Sequence, residues 1–242
     1  SLAALAANAI PRERARKPPT APGPTRLEFR AASLGKSGSA AARAVSFELR
    51  AGEVLGIAAL AGNGLDALED LAAAEREPEA GEVLVFGGRV KPRERSSLRR
   101  ERLAYLPTDR EGRGLSPRAS LVDNALARTL AGGGRKALRG SRAMREAALR
   151  QNAWFGLRAE PSRPASTLSG GNRQRLVAAR ELSGSPDLVI AANPSQGLDA
   201  SAQADLWSRL SELARAGSAV LLLTSSAEEL LALYPALASL AH

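Results

Sequence analysis

"LSGGNRQR", Leu168 to Arg175, puts a serine and two glycines directly ahead of a helical run, "NRQRLVAAREL". Serine is a favoured helix N-cap, and the first N–H groups of a helix have no intrahelical acceptor. The stretch therefore presents a hydroxyl, backbone donors and the positive end of a helix dipole to an anion. "SGG" by itself is equally an ordinary cap and turn. The longer string sets the segment apart.

The composition of the whole 242-residue chain narrows the options around it. It is 44% hydrophobic and 24% charged, as a globular domain with a core requires. Aromatics make up 3%, so that core must be built from Leu, Val, Ile and Ala. There is no Cys, and the single histidine is His242. Disulfides, thiol catalysis and Cys metal sites are excluded, and a Ser-His-Asp triad or His cluster lacks its residues. Apolar runs such as "AVLLLTSS" and "LVIAAN" are too short to cross a bilayer. The start shows no compact signal-peptide pattern, so the chain reads as cytosolic.

The net charge of +9 is unevenly placed, with basic runs at Arg89–Arg102 and in "RERARK". A solvated surface accounts for them, as do an anionic membrane face, nucleic acid or nucleotide. No aromatics are interleaved, so a base-stacking surface is not indicated.

Residues 1 to 25 read as a linker, since "IPRERARKPPTAPGPT" is rich in Pro and charge and lacks periodicity. From 26 onward, strand and helix patterns alternate. Strands are expected at Arg26–Ser33, Ala44–Arg50, Val54–Leu60, in "GEVLVFGGRV", at Arg102–Pro107, in "PDLVIAANP" and in "SAVLLLTSS". Helices are expected at Leu65–Glu75, across 118–160 with a "GGG" break at 132–134, in "NRQRLVAAREL" and in "SAQADLWSRLSELARAG". This order predicts an α/β fold with a largely parallel sheet.

"LSGGNRQR" resembles the LSGGQ signature of ATP-binding cassette (ABC) proteins, with Asn172 in place of Gln. Other stretches then fall into family order. "GIAALAGNGLDAL" occupies the Walker A position, "YLPTDREGRGL" resembles the Q-loop region, "PDLVIAANPSQGLD" the Walker B strand and D-loop, and "VLLLTSSAEELLAL" the switch strand. The resemblance runs from about residue 26 to the end. It implies a P-loop NTPase-like ABC nucleotide-binding domain over 26–242, with a mostly parallel core sheet, an antiparallel β part and a helical subdomain at about 117–165. The chain is most similar in form to the C-terminal cassette of tandem ATPases that drive simple-sugar and nucleoside import, and the Pro-rich start suits a linker between two cassettes.

Several chemical positions are altered. A working phosphate loop needs Lys for the β/γ-phosphates and Ser/Thr for Mg²⁺. With the last glycine at Gly64, Leu65 takes the lysine position, Asp66 the Ser/Thr position and Ala59 that of the first glycine. Gly62, Asn63 and Gly64 remain to curve round a phosphate. By resemblance, Ala192 takes the Mg²⁺-associated Asp position, Asn193 the catalytic Glu position, Thr108 the Q-loop Gln position and Ser225 the switch His position. Asn cannot act as a general base. No catalytic residue is therefore expected in this chain, and the isolated chain is expected to be inactive.

The family packs cassettes head to tail, each ATP lying between one cassette's Walker motifs and the other's signature. The resemblance thus implies that Ser169, Gly170, Gly171 and Asn172 close over ATP and Mg²⁺ held by a second cassette, fused upstream or separate, with Asp199 at the same interface. It also implies membrane permease subunits, indirectly a solute-binding protein, and a peripheral place on the inner face of the cell membrane. Two rival readings are a non-transport family member acting on nucleic acid, which no added nucleic-acid module supports, and a non-catalytic scaffold for a partner cassette.

Overall fold

The computed structural model describes residues 23–36, 39–60, 62–89, 91–94, 102–130, 142–154, 156–157 and 159–231. The expected linker up to residue 22, the glycine break at 132–134, most of the basic run before Arg102 and the C-terminal segment from 232 lie outside the described residues.

Two sheets form. The first is antiparallel, with β1 (Thr25–Lys36), β2 (Ser39–Arg50), β4 (Ala80–Val85) and β5 (Gly88–Arg89) in the order β2-β1-β4-β5. The second is parallel, with β3 (Val54–Ala58), β6 (Leu103–Leu106), β7 (Leu188–Ala192) and β8 (Ala219–Thr224) in the order β3-β8-β7-β6. β6, β7 and β8 are buried along their whole length. That is why they read as continuous apolar runs rather than alternating ones.

Period-2 geometry sends alternate residues to opposite faces. Tyr105, Ile190 and Leu221 face a core shared with the antiparallel sheet, whereas Leu106, Ala191 and Leu222 face the other side. Helix α1 (Leu65–Ala72) fills the first core, its Leu65, Leu68 and Leu71 recurring at helical spacing. Helices α4 (Gly170–Leu182) and α5 (Ala200–Arg215) cover the second face through Val177, Leu182, Leu206 and Leu210.

Helices α2 (Leu121–Leu130) and α3 (Arg142–Trp154) form a third cluster with Leu157, Leu168 and Leu176. The ends of this insertion meet, since the Leu121 N–H donates to the Arg163 carbonyl and Ala165 to Ala119. The expected α/β fold, with parallel core, antiparallel part and helical subdomain, is what forms. Element ends differ by a few residues. β1 and β2 are longer than their alternation indicates because the hairpin continues through register shifts. α1 stops at Ala72 rather than Glu75, and Ala74 adopts a left-handed φ of 55°.

α1 has apolar walls on two sides, so its leucines cannot be trimmed without leaving a void. Leu71 is 1% exposed. Leu71→Ala is expected to lower unfolding free energy by about 2–5 kcal/mol, measured by urea denaturation.

Candidate functional site

The loop between β3 and α1 turns on two glycines, Gly62 at φ 86° and Gly64 at φ 87°, a region that favours residues without a Cβ. Gly64 is the N-cap of α1, and no side chain caps that end. The curved backbone thus opens the first-turn donors of α1, with Asn63 half-buried between the glycines. Leu65 belongs to the apolar core at 7% exposure, and Asp66 is exposed in the first turn. The loop carries backbone donors, a buried leucine and a carboxylate.

Thr108, Asn193 and Ser225 come from three separate segments and meet through Asn193. Its Nδ2 donates to Thr108 Oγ1 at 3.1 Å, and its Oδ1 accepts from the Ser225 N–H at 2.9 Å and from Ser225 Oγ at 3.1 Å. Asn193 follows β7 at a left-handed φ of 43°, which Asn tolerates better than most residues. Thr108 is held from behind as well, its N–H donating to Glu69 Oε1 at 3.1 Å.

Glu69 and Asp70 are buried on α1, and each has a partner. The Tyr105 hydroxyl donates to Glu69 Oε1 at 2.5 Å, and Arg113 Nη1 donates to Asp70 Oδ1 at 2.6 Å. Burial, then the Glu69 charge, pushes the Tyr105 phenol well above its ordinary value, so it stays a donor.

The signature segment lies elsewhere. Ser169 is the N-cap of α4, its oxygen accepting from the Asn172 N–H at 3.4 Å. An accepting hydroxyl keeps its own proton to donate outward. Ser169 and Gly170 are exposed, and Gly171 and Asn172 half-buried. A Cβ on Gly171 would stand 2.5 Å from the Gly197 carbonyl oxygen, so only glycine fits. Gln174 Nε2 donates to the Pro194 carbonyl at 2.6 Å, and Arg175 Nη2 to Asp199 Oδ2 at 2.7 Å. Asp199 also caps α5 by accepting from the Ala202 N–H at 2.9 Å. Arg110 bonds the same turn, donating to the Gln196 carbonyl at 2.7 Å.

Ser169, Gly170, Gly171, Asn172 and Asp199 are thus brought together, and Gly62, Asn63 and Gly64 are not among them. The glycine loop follows β3 at one edge of the parallel sheet, while α4 packs on β6 at the other. Three inter-strand steps separate those edges, roughly 14 Å. Gln174, Arg175, Arg110 and Glu69 were not readable as site residues, because a polar or charged side chain looks solvated in the sequence until its burial is known.

A family model described as ABC transporter matches residues 42–196. The ribose import ATP-binding protein RbsA 1 of Streptomyces avermitilis is 34% identical over 188 residues, 77% of this chain and 36% of that protein. The arabinose import ATP-binding protein AraG 2 of Burkholderia thailandensis is 32% identical over 215 residues, 88% of this chain and 40% of that protein. The chain therefore spans well under half the length of these relatives. A dimeric ATP-binding cassette solved in a post-hydrolysis state with ADP and Pi superposes with a TM-score of 0.72 at 21% identity, over 84% of this chain and 89% of that one, a likeness of fold. An ATP-binding subunit of an ABC transporter gives 0.68 at 25% identity, over 83% and 79%. The chain belongs to the ABC transporter family, and it is related to sugar-import ATP-binding proteins.

That family implies ATP and Mg²⁺. The residues round this chain's own glycine loop do not fit the metal. Asp66 is one exposed carboxylate, Leu65 and Ala192 are buried and apolar, and both ends of the Asn193 amide are engaged. Among the described residues, no three His, Cys, Asp or Glu side chains converge as a metal site.

The Ala202 N–H, then Arg175, holds the Asp199 carboxyl below its ordinary value. A depressed folded pKa gives stability that is present above the unfolded value, about 3.9, and is lost as pH falls through the folded one. Asp199→Asn keeps a good cap at neutral pH but removes this titration. Its acid-unfolding curve should be shallower than that of the parent below about pH 4, read by circular dichroism.

Proposed function

We propose that this chain is the second cassette of an ABC importer ATPase for sugars or nucleosides, and that it works through its signature rather than through its own phosphate loop. Residues 26–242 are the cassette, 1–25 a linker from a preceding cassette, and about 117–165 the helical part facing permease subunits. Paired head to tail, it supplies Ser169, Gly170, Gly171 and Asn172 to ATP seated on the partner's phosphate loop, with Asp199 at the joint. The Ser169 hydroxyl and the Gly170 and Gly171 N–H groups are the donors, reinforced by the helix dipole. Its own loop retains Gly62, Asn63 and Gly64 without lysine, metal ligand or general base.

One observation carries this reading. Thr108, Asn193 and Ser225 satisfy one another, whereas Ser169 and Gly170 face outward from a capped helix. The names of the relatives, ribose and arabinose import proteins, favour a sugar.

Purified alone, the chain should hydrolyse ATP negligibly, and turnover comparable to an intact cassette would refute the eroded-site reading. With a competent partner cassette, Ser169→Arg should cut steady-state ATP turnover about a hundredfold or more, the scale of losing preorganised donors to a developing charge. A pair whose turnover ignores that substitution uses this chain as a scaffold only.

A further inference from the structure

Glu229 is a buried carboxylate, 9% exposed, that the proposed site does not use. It lies just after β8, within the helical residues 227–231. Its Oε1 accepts from the Ser195 N–H at 3.0 Å and from the Ser195 hydroxyl, and its Oε2 accepts from the Thr224 hydroxyl. The next residue fixes it in place, for Leu230 lies over Gly56 of β3, where a Cβ would stand 2.5 Å from its Cδ2. Glu229 therefore reaches the 194–199 turn from a firm base.

The turn needs that hold. Its ends are seated, with Pro194 buried and Leu198 packed on the core, but its exposed middle, Gln196 and Gly197, borders a cavity of about 360 Å³ that Ser195 and Glu229 also line. On its other side it is pressed against the first turns of α4. The Gly197 carbonyl meets Gly171, the Pro194 carbonyl takes Gln174 Nε2, and Asp199 takes Arg175. A shift of the turn is thus a shift of the surface on which the signature is seated.

We infer that Glu229 is a positioning residue that sets the place of Ser169 and Gly170 by clamping Ser195, so that a side chain beyond the switch strand controls how the signature is offered to a neighbour's ATP. The path runs from Glu229 to Ser195, along the backbone of the turn to the Gly197 carbonyl, across to Gly171 and back along the chain to Ser169. One oxygen that accepts from both a backbone N–H and a hydroxyl, in a buried place, gives the clamp its strength. A glutamine can still accept both Ser195 bonds, whereas alanine accepts neither.

The inference rests on the composite-site proposal for its consequence, not for its geometry, and two experiments separate them. In the first, amide hydrogen exchange on the whole chain alone compares the parent, Glu229→Gln, Glu229→Ala and Ser195→Ala. Glu229→Ala should raise exchange across 168–175 as well as 193–200 by about tenfold, the scale of losing buried bonds to a charged group, with 188–192 unchanged. Glu229→Gln should stay near the parent, and Ser195→Ala should move in the same direction by less, which keeps the test open if the alanine variant at 229 fails to fold. Exchange that rises at 193–200 but not at 168–175 overturns the inference.

In the second, ATP turnover is measured with a competent cassette. Glu229→Ala should lower kcat about tenfold with KM nearly unchanged, and Glu229→Gln should restore it. If Ser169→Arg abolishes turnover while Glu229→Ala leaves it intact, the positioning role is wrong. If Ser169→Arg has no effect, the composite-site proposal fails, and the exchange result judges the clamp by itself.

Discussion

Helix α1 lies between two sheets with two buried carboxylates on it, and those carboxylates must be answered from outside the helix. Leaving either unpaired would cost several kcal/mol. Tyr105 and the Thr108 amide answer Glu69, and Arg113 answers Asp70. The segment after β6 is thereby tied to the glycine loop's own helix. From Thr108 the bonding continues through Asn193 to Ser225, so the ends of β6, β7 and β8 are joined by one hydrogen-bonded chain rooted in α1. Protein donors and acceptors close this chain without help from a ligand.

The same molecule treats its two candidate half-sites differently. At one, polar groups are matched inward and a leucine sits in the core. At the other, Ser169 and Gly170 face outward, and the structure behind them is tight enough to exclude a methyl group at Gly171. The sheet's width keeps the two apart, so neither can serve the other within one chain. On the proposed reading, each cassette must then look to a neighbour for the complement of what it carries.

The strand runs were readable because β6, β7 and β8 are buried on both faces and their sequences are uninterruptedly apolar. The cap at Ser169, the helix beginning beside it and the glycine turn at Gly62–Gly64 were readable because each has a local chemical cause. The length of the β1–β2 hairpin was not, since register shifts let it run through residues without clean alternation. The partners of Glu69, Asp70, Gln174 and Glu229 were not readable either. Each lies 20 or more positions from at least one of the groups it meets, and helical patterning marks a polar or charged residue as solvent-facing by default. The meeting of Thr108, Asn193 and Ser225 was anticipated only as three family positions, and their mutual satisfaction is a property of the fold.

Leu65 sets how far this loop stands from an independent phosphate site. At 7% exposure it is part of what holds α1 between the sheets. A lysine there would place an ammonium in an apolar cluster, while Glu69 and Asp70 already have partners and Ala192 and Asn193 offer no charge. Such a variant would lose stability before it gained any chemistry. On the proposed reading, building a hydrolytic site into this loop takes several simultaneous changes rather than one.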